Sequence, residues 1–452
     1  MTDTSQAELS RIEVDLAAVD RNVGRIGQVL SRGLEQRRQS PEAKRKGAQV
    51  LLGDRPKICA VLKADGYGLG AARLSRRLSA SGASMIGVHT LAEARELVYA
   101  ALNTPILIMM PVWSFTRRDW LYNTFSKGQV HLTVHDPQHL EAVIRIAGQL
   151  GIKVPVHVDV DTGMSRGAAS TRVVTRMIKR ALSDTRVRLA GVSTHFASSD
   201  QSPGMTARQA QAFRGLVERN AHLLPDDCLV HAANTCATFR DARYHFNMVR
   251  VGLGLFGYAR ADFGNADEFS FLPEAGSLEP AVRWLSRIVH VKRVGPGMTA
   301  GYGATWRAKR PTRLALVPVG YSAGYPLALS NSGVVGFRAS RGKMAYAPVV
   351  GRVSMDQVTV DVTDVPARFT QVGAEVEVIG ADAGAPNSMP NVAARAGTIT
   401  HELMCGLSHR VPRVYTKDIT ADERGPKQIA EPKRMTAPAV GGRLASAVAA
   451  LR

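Results

Sequence analysis

A lysine stands at the end of an apolar run near the start of the chain, in the segment CAVLKADGYGLGAA (59–72). A side chain that ends a buried strand is partly removed from water, and loss of water disfavours the charged form of an amine. A neutral lysine amine can attack a carbonyl carbon and form a Schiff base. Lys63 is therefore a candidate for covalent catalysis.

Eight apolar, β-branched runs recur along the first 260 residues, and stretches with helical spacing separate them. The runs span residues 57–64, 84–90, 105–110, 130–135, 154–161, 188–196, 228–234 and 248–257. Continuous apolar strands that alternate with helices are typical of a parallel sheet, and eight is the number that closes a (β/α)8 TIM barrel. A doubly wound open sheet is the alternative. A barrel differs from it by placing its chemistry at the carboxyl ends of many strands.

Polar side chains do fall at the ends of these runs. They are Lys63 at the first, Asp159 and Arg166 at the fifth, His195 at the sixth, Asn234 and Thr235 at the seventh, and Arg250 with Gly252 in the eighth. Each one alone has a structural explanation, such as a core histidine with satisfied hydrogen bonds or a structural ion pair. Five strand ends that converge on one mouth indicate a common site, and they favour the barrel.

The commonest aldehyde partner of such a lysine is pyridoxal phosphate, which makes further demands on its site. Its phosphate needs donors, its pyridine nitrogen needs a partner, and the substrate Cα needs a proton donor or acceptor beside it. Tyr67 and Thr235 offer hydroxyls for the phosphate, and the glycines of RVGLGLFG (250–257) let backbone N–H groups approach it. Arg250 can face the ring nitrogen.

The sequence pattern changes after about residue 270. Short β-like runs follow one another there, with turn signals between them and almost no helical stretch. This pattern predicts a second, mainly antiparallel β domain. We expect the barrel over residues 1–268, with a basic insertion near 31–52 that has no apolar period. The β domain then covers 269–420, and 421–452 form a loosely ordered basic tail.

The net charge is +20, from 58 Lys and Arg against 38 Asp and Glu, and part of the excess lies in the insertion and the tail. Neither aromatic interleaving, zinc spacing nor a recognition-helix pattern accompanies it, so we expect no nucleic-acid partner.

Four cysteines lack CxxC spacing, and no metal site is expected. The start has no basic region followed by an apolar stretch, and no apolar window reaches eighteen residues. We therefore expect a cytoplasmic protein without a membrane segment.

Eight motifs, in order from about Ile12 to Tyr415, resemble those of the alanine racemase family. They are AVLKADGYGLG, VDTGMSRGA, STHFASSD, ANTCA, MVRVGLGLFGY, AGYGATWRA, VGRVSMDQVTVDVTD and SHRVPRVY. The resemblance implies a pyridoxal-phosphate enzyme that removes the Cα proton on one face of the substrate and returns it on the other. It also implies a homodimer with shared active sites, because one of the two bases reaches the barrel of the partner subunit.

Carried over position by position, the resemblance assigns a role to thirteen residues. Lys63 forms the Schiff base and is one catalytic base, and Tyr302 is the opposite base. The cofactor-binding positions are Tyr67, His195, Thr235, Arg250, Gly252, Leu253 and His409, with His195 linking the tyrosine to the arginine. Arg166, Met355, Tyr321 and Asp159 are expected near the substrate or at the entrance.

Three positions depart from the family pattern. His409 stands where many members have a phosphate-contacting tyrosine, and Ala323 stands where an aspartate is usual. Asp159 stands where many members have a carbamylated lysine. We expect its carboxylate to replace that modified lysine and to pair with Arg166, either directly or through a water.

The resemblance favours racemisation of L-alanine and D-alanine by two bases, which supplies D-alanine for cell-wall peptidoglycan. Serine or a broad range of amino acids is the near alternative, although Met355-Asp356 favours alanine because broad-specificity members usually read SMN. A barrel-type amino-acid decarboxylase would use a cysteine of the β domain, for which Cys405 is the candidate. A non-catalytic pyridoxal-phosphate-binding barrel would lack the β domain.

Overall fold

The structure is a computed structural model that describes residues 9–40, 43, 48–53, 55–100, 102–260, 271–339 and 343–416. Residues 1–417 form one compact unit. The tail predicted over 421–452 lies outside the described residues. The basic segment predicted near 31–52 is described only in part.

Eight parallel strands close into a barrel, as the sequence predicts. In chain order the strands of the N-terminal part are β1 (Ser10–Asp15), β2 (Lys57–Val61), β3 (Met85–Val88), β4 (Ile106–Ile108), β5 (Val130–Val134), β6 (Val154–Asp161), β7 (Ala169–Ser170), β8 (Val187–Thr194), β9 (Leu229–His231) and β10 (Met248–Val251). The barrel order is β2-β3-β4-β5-β6-β8-β9-β10, and β10 pairs in parallel with β2 to complete the circle. The predicted (β/α)8 fold is confirmed.

Helices and turns follow the barrel strands and cover the sheet. They are α1 (Leu16–Gln39), α2 (Ala48–Leu52), α3 (Lys63–Gly68), α4 (Ala71–Ala80), α5 (Leu91–Tyr99), α6 (Tyr122–Ser126), α7 (Pro137–Leu150), α8 (Thr171–Leu182), α9 (Pro203–Asn220) and α10 (Thr235–Arg240). Local sequence sets the ends of α7. The Asp136 side chain accepts from the His139 amide at its start, Pro137 takes the first position, and Gly151 closes it in the left-handed conformation.

Helix α1 extends further into the predicted basic segment than the sequence pattern indicates. It runs to Gln39 and buries Leu34 and Arg37, and the Arg37 guanidinium donates to the carbonyl of Phe246 at 2.8 Å. The long methylene stem of arginine covers apolar surface. Residues 31–39 are therefore part of the fold. The search for apolar periodicity missed them because an arginine, and not an apolar residue, occupies one of the buried positions.

The C-terminal part is a mostly antiparallel β domain, as predicted. Its strands are β11 (Val282–Arg287), β12 (His290–Val294), β13 (Thr299–Ala300), β14 (Trp306–Arg307), β15 (Thr312–Val317), β16 (Val334–Arg338), β17 (Met344–Val350), β18 (Val358–Asp361), β19 (Glu375–Ile379) and β20 (Arg413–Thr416), with helices α11 (Met389–Arg395) and α12 (Thr400–Cys405). The main sheet has the order β12-β15-β18-β17-β16-β19-β11-β1-β20. Strand β1, which precedes the barrel in sequence, lies within this sheet.

The described residues contain neither a membrane-spanning helix nor a cluster of metal ligands. None of their helices has both the length and the apolar character needed to cross a membrane. Within the same ranges, no three His, Cys, Asp or Glu side chains are grouped to hold a metal ion.

A row of three buried histidines crosses the barrel interior. Nδ1 of His131 lies 2.8 Å from Nε2 of His157, and Nδ1 of His157 lies 2.8 Å from Nε2 of His231. Strand β8 runs between the strands of the last two, and its Gly191 is the neighbour of His157 in the register. A Cβ at Gly191 would collide with the His157 imidazole. The glycine therefore leaves the space through which this hydrogen bond passes.

We predict that Gly191→Ala lowers the free energy of unfolding by about 1–3 kcal/mol, the usual cost of overpacking a core. Urea denaturation measures this difference. Gly24→Ala is the matched control, because a Cβ at Gly24 on helix α1 meets no atom within 4 Å. That change should raise stability by roughly 0.5–1 kcal/mol through helix propensity. Equal stability of Gly191→Ala and the original protein would show that the row of histidines does not require a glycine at position 191.

Candidate active site

A cavity of about 940 Å³ opens at the carboxyl ends of the barrel strands. Nine of the residues predicted for the site line it: Lys63, Tyr67, Asp159, Arg166, His195, Thr235, Arg250, Gly252 and Leu253. Four others, Tyr302, Tyr321, Met355 and His409, are not among its lining residues. The strand ends thus converge as the barrel fold requires.

The turn from Lys63 to Gly68, called the Lys63 turn below, has an unusual backbone. Ala64, Asp65, Gly66 and Tyr67 all have left-handed φ values between 51° and 63°. Such a conformation costs a residue with a Cβ about 1–2 kcal/mol. Surrounding carboxylates compensate, because Glu93 accepts from the Ala64 amide at 2.8 Å and Asp65 accepts from the Ala71 amide at 2.7 Å.

The Lys63 turn directs two functional groups into the cavity, the amine of Lys63 and the ring of Tyr67. Loss of water around the amine lowers the pKa of Lys63, and the positive charge of Arg166 lowers it further. Both effects increase the fraction of neutral amine, which is the nucleophilic and basic form. The partial burial expected from the sequence is therefore present, and Arg166 adds a positive charge nearby.

Arg250 lies deep in the barrel with 8% of its surface exposed. Nη1 donates to Nδ1 of His231 at 2.6 Å and to the His231 carbonyl at 3.1 Å. Nη2 donates to the carbonyls of Thr194 at 2.8 Å and Ala232 at 3.2 Å, and it lies 3.2 Å from Nδ1 of His195. Because an arginine only donates, both histidines must present an unprotonated Nδ1 to it.

That requirement fixes the protonation of the whole row of histidines. Burial and the Arg250 charge lower the pKa of His231 well below its usual value, so His231 is neutral and carries its proton on Nε2. It then donates to Nδ1 of His157, which is also held neutral by burial and donates in turn to His131. None of His131, His157 and His231 was among the residues predicted for the site. Their signal was a histidine in the middle of an apolar strand.

His195 also stays neutral. Burial, together with the charge of Arg250, lowers the pKa of His195 to about 3. With Nδ1 accepting from Arg250, the proton of the ring lies on Nε2.

Residues from three loops form a small cradle suited to a phosphate group. A Cβ at Gly252 would collide with the Tyr67 hydroxyl, so the glycine lets that hydroxyl approach the backbone closely. The Thr235 hydroxyl accepts from the amides of Gly252 at 3.2 Å and Gly254 at 3.3 Å. Hydroxyls and backbone amides with space around them are the donors that a phosphate prefers. Together with Lys63 and Arg250, these groups fit pyridoxal phosphate.

The direct neighbours of the Asp159 carboxylate are residues other than Arg166. Its carboxylate accepts from the Ser193 hydroxyl at 2.7 Å, and its second oxygen lies 3.7 Å from Nδ1 of His135. Burial raises the pKa of Asp159, and Arg166 is close enough to oppose that rise. No direct ion pair joins Asp159 to Arg166 among the described contacts. A shorter side chain than lysine keeps the carboxylate against the strand, where Ser193 on β8 reaches it.

Arg166 is carried on a loop that a neighbouring carboxylate organises. One oxygen of Asp161 accepts from the amides of Gly163 at 2.9 Å, Met164 at 3.0 Å and Ser165 at 3.0 Å. Burial opposes ionisation of Asp161, but these three donors lower its pKa. An aspartate that accepts from the following amides is a common turn-forming device. It positions the loop so that Arg166 reaches the rim of the cavity.

Three residues of the predicted site are exposed on the β domain. The exposed fractions are 68% for Tyr302, 45% for Tyr321 and 54% for Met355. The Tyr321 amide donates to the carbonyl of Ser354 at 3.1 Å, which places its loop beside that of Met355. Large apolar side chains gathered on a surface mark an interaction site.

The comparisons with known proteins cover both domains. Residues 45–260 match the family described as alanine racemase, N-terminal domain, and residues 281–415 match alanine racemase, C-terminal domain. The alanine racemase of Halothermothrix orenii is 33% identical over 372 residues, which are 82% of this chain and 92% of that protein. The alanine racemase of Cutibacterium acnes is 36% identical over 369 residues, which are 80% of this chain and 92% of that protein.

The fold agrees with these sequence matches. The crystal structure of alanine racemase from D-cycloserine producing Streptomyces lavendulae has a TM-score of 0.73 and 27% identity, and the match covers 90% of this chain and 97% of that one. Because the matches span the barrel with its lysine and the β domain alike, the chain belongs to the alanine racemase family.

Proposed function

We propose that this protein is a pyridoxal-phosphate-dependent alanine racemase that interconverts L-alanine and D-alanine. The observation that carries the proposal is the meeting, in one cavity, of Lys63 with a lowered pKa and Arg250 with neutral acceptors only. D-alanine formed in this way is a building block for peptidoglycan. All four cysteines are free thiols, which suits the cytoplasmic location expected from the sequence.

When bound, pyridoxal phosphate withdraws electrons from the Cα of an amino acid, so that the Cα proton can be removed. Tyr67, Thr235 and the amides of Gly252 and Gly254 would hold its phosphate end. Arg250 donates a hydrogen bond and keeps its own proton, so the group that it faces stays unprotonated. Lys63 takes or returns a proton on one face of Cα, and Tyr302 of the partner subunit does so on the other.

Lys63→Ala should abolish both the visible absorbance of the lysine-bound cofactor and the racemisation of alanine, because no other lysine among the described residues lines the cavity. Absorbance spectra, followed by chiral analysis of products from a panel of L-amino acids, measure the two effects. Lys57→Ala is the matched control, since Lys57 is exposed at the other end of the same strand. A coloured and active Lys63→Ala protein would refute the assignment. The same panel separates an alanine racemase from one that acts on serine or on a broad range.

The homodimer is part of the proposal and is supported by the exposed position of Tyr302, Tyr321 and Met355. These residues lie outside the cavity of their own barrel, so a site that uses them takes them from a second copy. Mixing Lys63→Ala with Tyr302→Phe chains should therefore restore activity, because each heterodimer contains one site with both bases. The measurement is the racemisation rate after subunit exchange has been verified by mass spectrometry. Complete absence of recovery would count against shared sites.

Asp159 is proposed to supply the negative charge that a carbamylated lysine supplies in many family members. Activity should then be independent of added bicarbonate, and Asp159→Ala should raise the KM for alanine by roughly ten-fold, equivalent to about 1.4 kcal/mol. The charge on Arg166 would lose its compensation while kcat changes less. Ser193→Ala removes the donor that holds Asp159 and should change KM in the same direction by a smaller factor. An unchanged KM in Asp159→Ala would rule out this role.

A further inference from the structure

A glutamate at the start of helix α5 joins two parts of the cavity wall. Oε2 of Glu93 accepts from the amides of His89 at 2.6 Å and Thr90 at 3.1 Å. Oε1 accepts from the amide of Ala64, in the Lys63 turn, at 2.8 Å. Lys63, His89 and Glu93 all line the cavity. A single carboxylate thus links the end of strand β3 to the backbone beside the lysine.

The start of helix α5 needs only one of the two carboxylate oxygens. Thr90 and Glu93 form a capping box, in which each side chain accepts from the backbone amide of the other residue. A capping box uses one side-chain oxygen, and either glutamate or glutamine can supply it. The second oxygen of Glu93 contacts a residue 29 positions earlier in the chain. The capping box does not account for that contact.

The Lys63 turn depends on contacts with its surroundings. Four consecutive residues after Lys63 are left-handed, and three of them, Ala64, Asp65 and Tyr67, carry a Cβ. This conformation is unfavourable for a residue with a Cβ and persists only where the surrounding structure holds it. Ala64 is the first of the four and the direct neighbour of the lysine. A hydrogen bond at its amide therefore restrains the peptide unit next to the Cα from which the Lys63 side chain departs.

Other hydrogen bonds of the turn act further along the chain. The Asp65 carboxylate accepts from the amide of Ala71 at 2.7 Å. The carbonyl of Gly68 accepts from Nε of Arg413 at 2.8 Å. These bonds hold the middle and the end of the turn, whereas the bond to Glu93 holds its beginning, where the amine is attached.

We propose that Glu93 is a positioning residue for Lys63: its carboxylate ties the Lys63 turn to the end of strand β3 and so directs the lysine amine into the cavity. This inference rests on the proposed function, in which that amine reacts. The alternative is a glutamate that serves only as the cap of helix α5.

The negative charge of Glu93 has a second effect, which the test must separate from position. Burial lowers the pKa of Lys63, and Arg166 lowers it further, while Cys405 and Glu93 oppose these effects. Removal of the Glu93 charge therefore increases the fraction of neutral amine at a given pH. At high pH the amine is neutral in every variant, so a difference in rate there reports the position of the amine and not its charge.

The test combines two measurements on the full-length protein. Hydrogen exchange at the Ala64 amide, resolved by fragmentation in the mass spectrometer, reports the hydrogen bond to Glu93. The rate at which the protein, freed of cofactor, forms the lysine-bound cofactor with added pyridoxal phosphate is followed by visible absorbance as a function of pH. The high-pH plateau of this profile reports the position of the amine.

Three variants separate the two roles of the carboxylate. Glu93→Gln retains an oxygen for the capping box but presents an amide nitrogen in place of the other oxygen. Thr90→Ala removes the hydroxyl of the capping box and leaves the carboxylate in place. Glu96→Ala, at an exposed position of the same helix, is the matched control.

We expect Glu93→Gln to accelerate exchange at the Ala64 amide roughly ten- to hundred-fold, the value of one hydrogen bond to a charged group. The plateau rate should fall by roughly ten-fold, because the amine is then held in the productive direction for a smaller part of the time. Thr90→Ala should lower stability in urea without either effect, and Glu96→Ala should leave both measurements unchanged.

Several results would overturn the inference. Unchanged exchange at Ala64 in Glu93→Gln would mean that the carboxylate does not hold the turn. Faster exchange with an unchanged plateau rate would mean that the bond does not position Lys63. If Thr90→Ala reproduced both effects, the helix cap alone would be responsible.

The original protein provides the comparison that separates this inference from the proposed function. If it forms no lysine-bound cofactor with pyridoxal phosphate, the proposed function fails, and the inference fails with it. If it forms that species and Glu93→Gln behaves in the same way in both measurements, the inference alone is wrong.

Discussion

A permanently charged guanidinium inside the barrel is the constraint on which much of this structure depends. Arg250 cannot lose its proton, and transferring an ion from water to a protein interior costs several kcal/mol. The chain meets this cost with neutral acceptors, namely three carbonyls and the imidazole of His231. These acceptors satisfy the N–H groups without carrying a charge of their own. The nearest compensating charge is the carboxylate of Asp159, which also lines the cavity at the mouth of the barrel.

The same constraint extends through the barrel interior. An arginine that only donates requires acceptors, each acceptor histidine must then donate at its other nitrogen, and the chain of donors continues from His231 to His157 and His131. Gly191 is part of this arrangement although it carries no functional group. A side chain at this position would occupy the space of the His157 imidazole. A polar network of this kind is favourable only when every member is satisfied. The interior of the barrel is thus specified by hydrogen-bond direction as well as by apolar packing.

Much of the fold was predictable because its signals are local. Continuous apolar runs at regular spacing predicted all eight barrel strands. The succession of short β-like runs after about residue 270 predicted the antiparallel domain. The convergence of Lys63, Arg250 and Thr235 followed from the geometry of parallel strands. Side-chain partners were harder to predict. The contacts of Asp159 with Ser193 and His135 depend on side-chain length and on the register between strands, which a single sequence does not reveal.

The residues that the sequence analysis missed have a common character. His157 and His231 are polar side chains in apolar strands, and their importance appears only when a third residue is placed beside them. His401, on helix α12, lines the cavity although none of the predicted motifs contains it, and contacts between distant segments, such as Arg413 with Gly68, hold this part of the β domain beside the Lys63 turn. Arg37 lies in the segment predicted as a basic insertion, and its burial depends on a hydrogen bond to the distant carbonyl of Phe246 that the sequence pattern does not reveal. The roles of these residues follow from contacts between distant parts of the chain, which composition and spacing do not reveal.

The position of strand β1 has a consequence for how the chain folds during synthesis. Ile12 is paired with Trp284 on one side and Arg413 on the other, so β1 must wait for two partners that are made much later. The barrel strands can assemble in the interval, while β1 keeps both edges unpaired. Pairings so distant in sequence also slow folding, because closing a long loop costs entropy before any contact forms. Both partners of β1 belong to the β domain, so its two edges stay open until β11 and then β20 have been made.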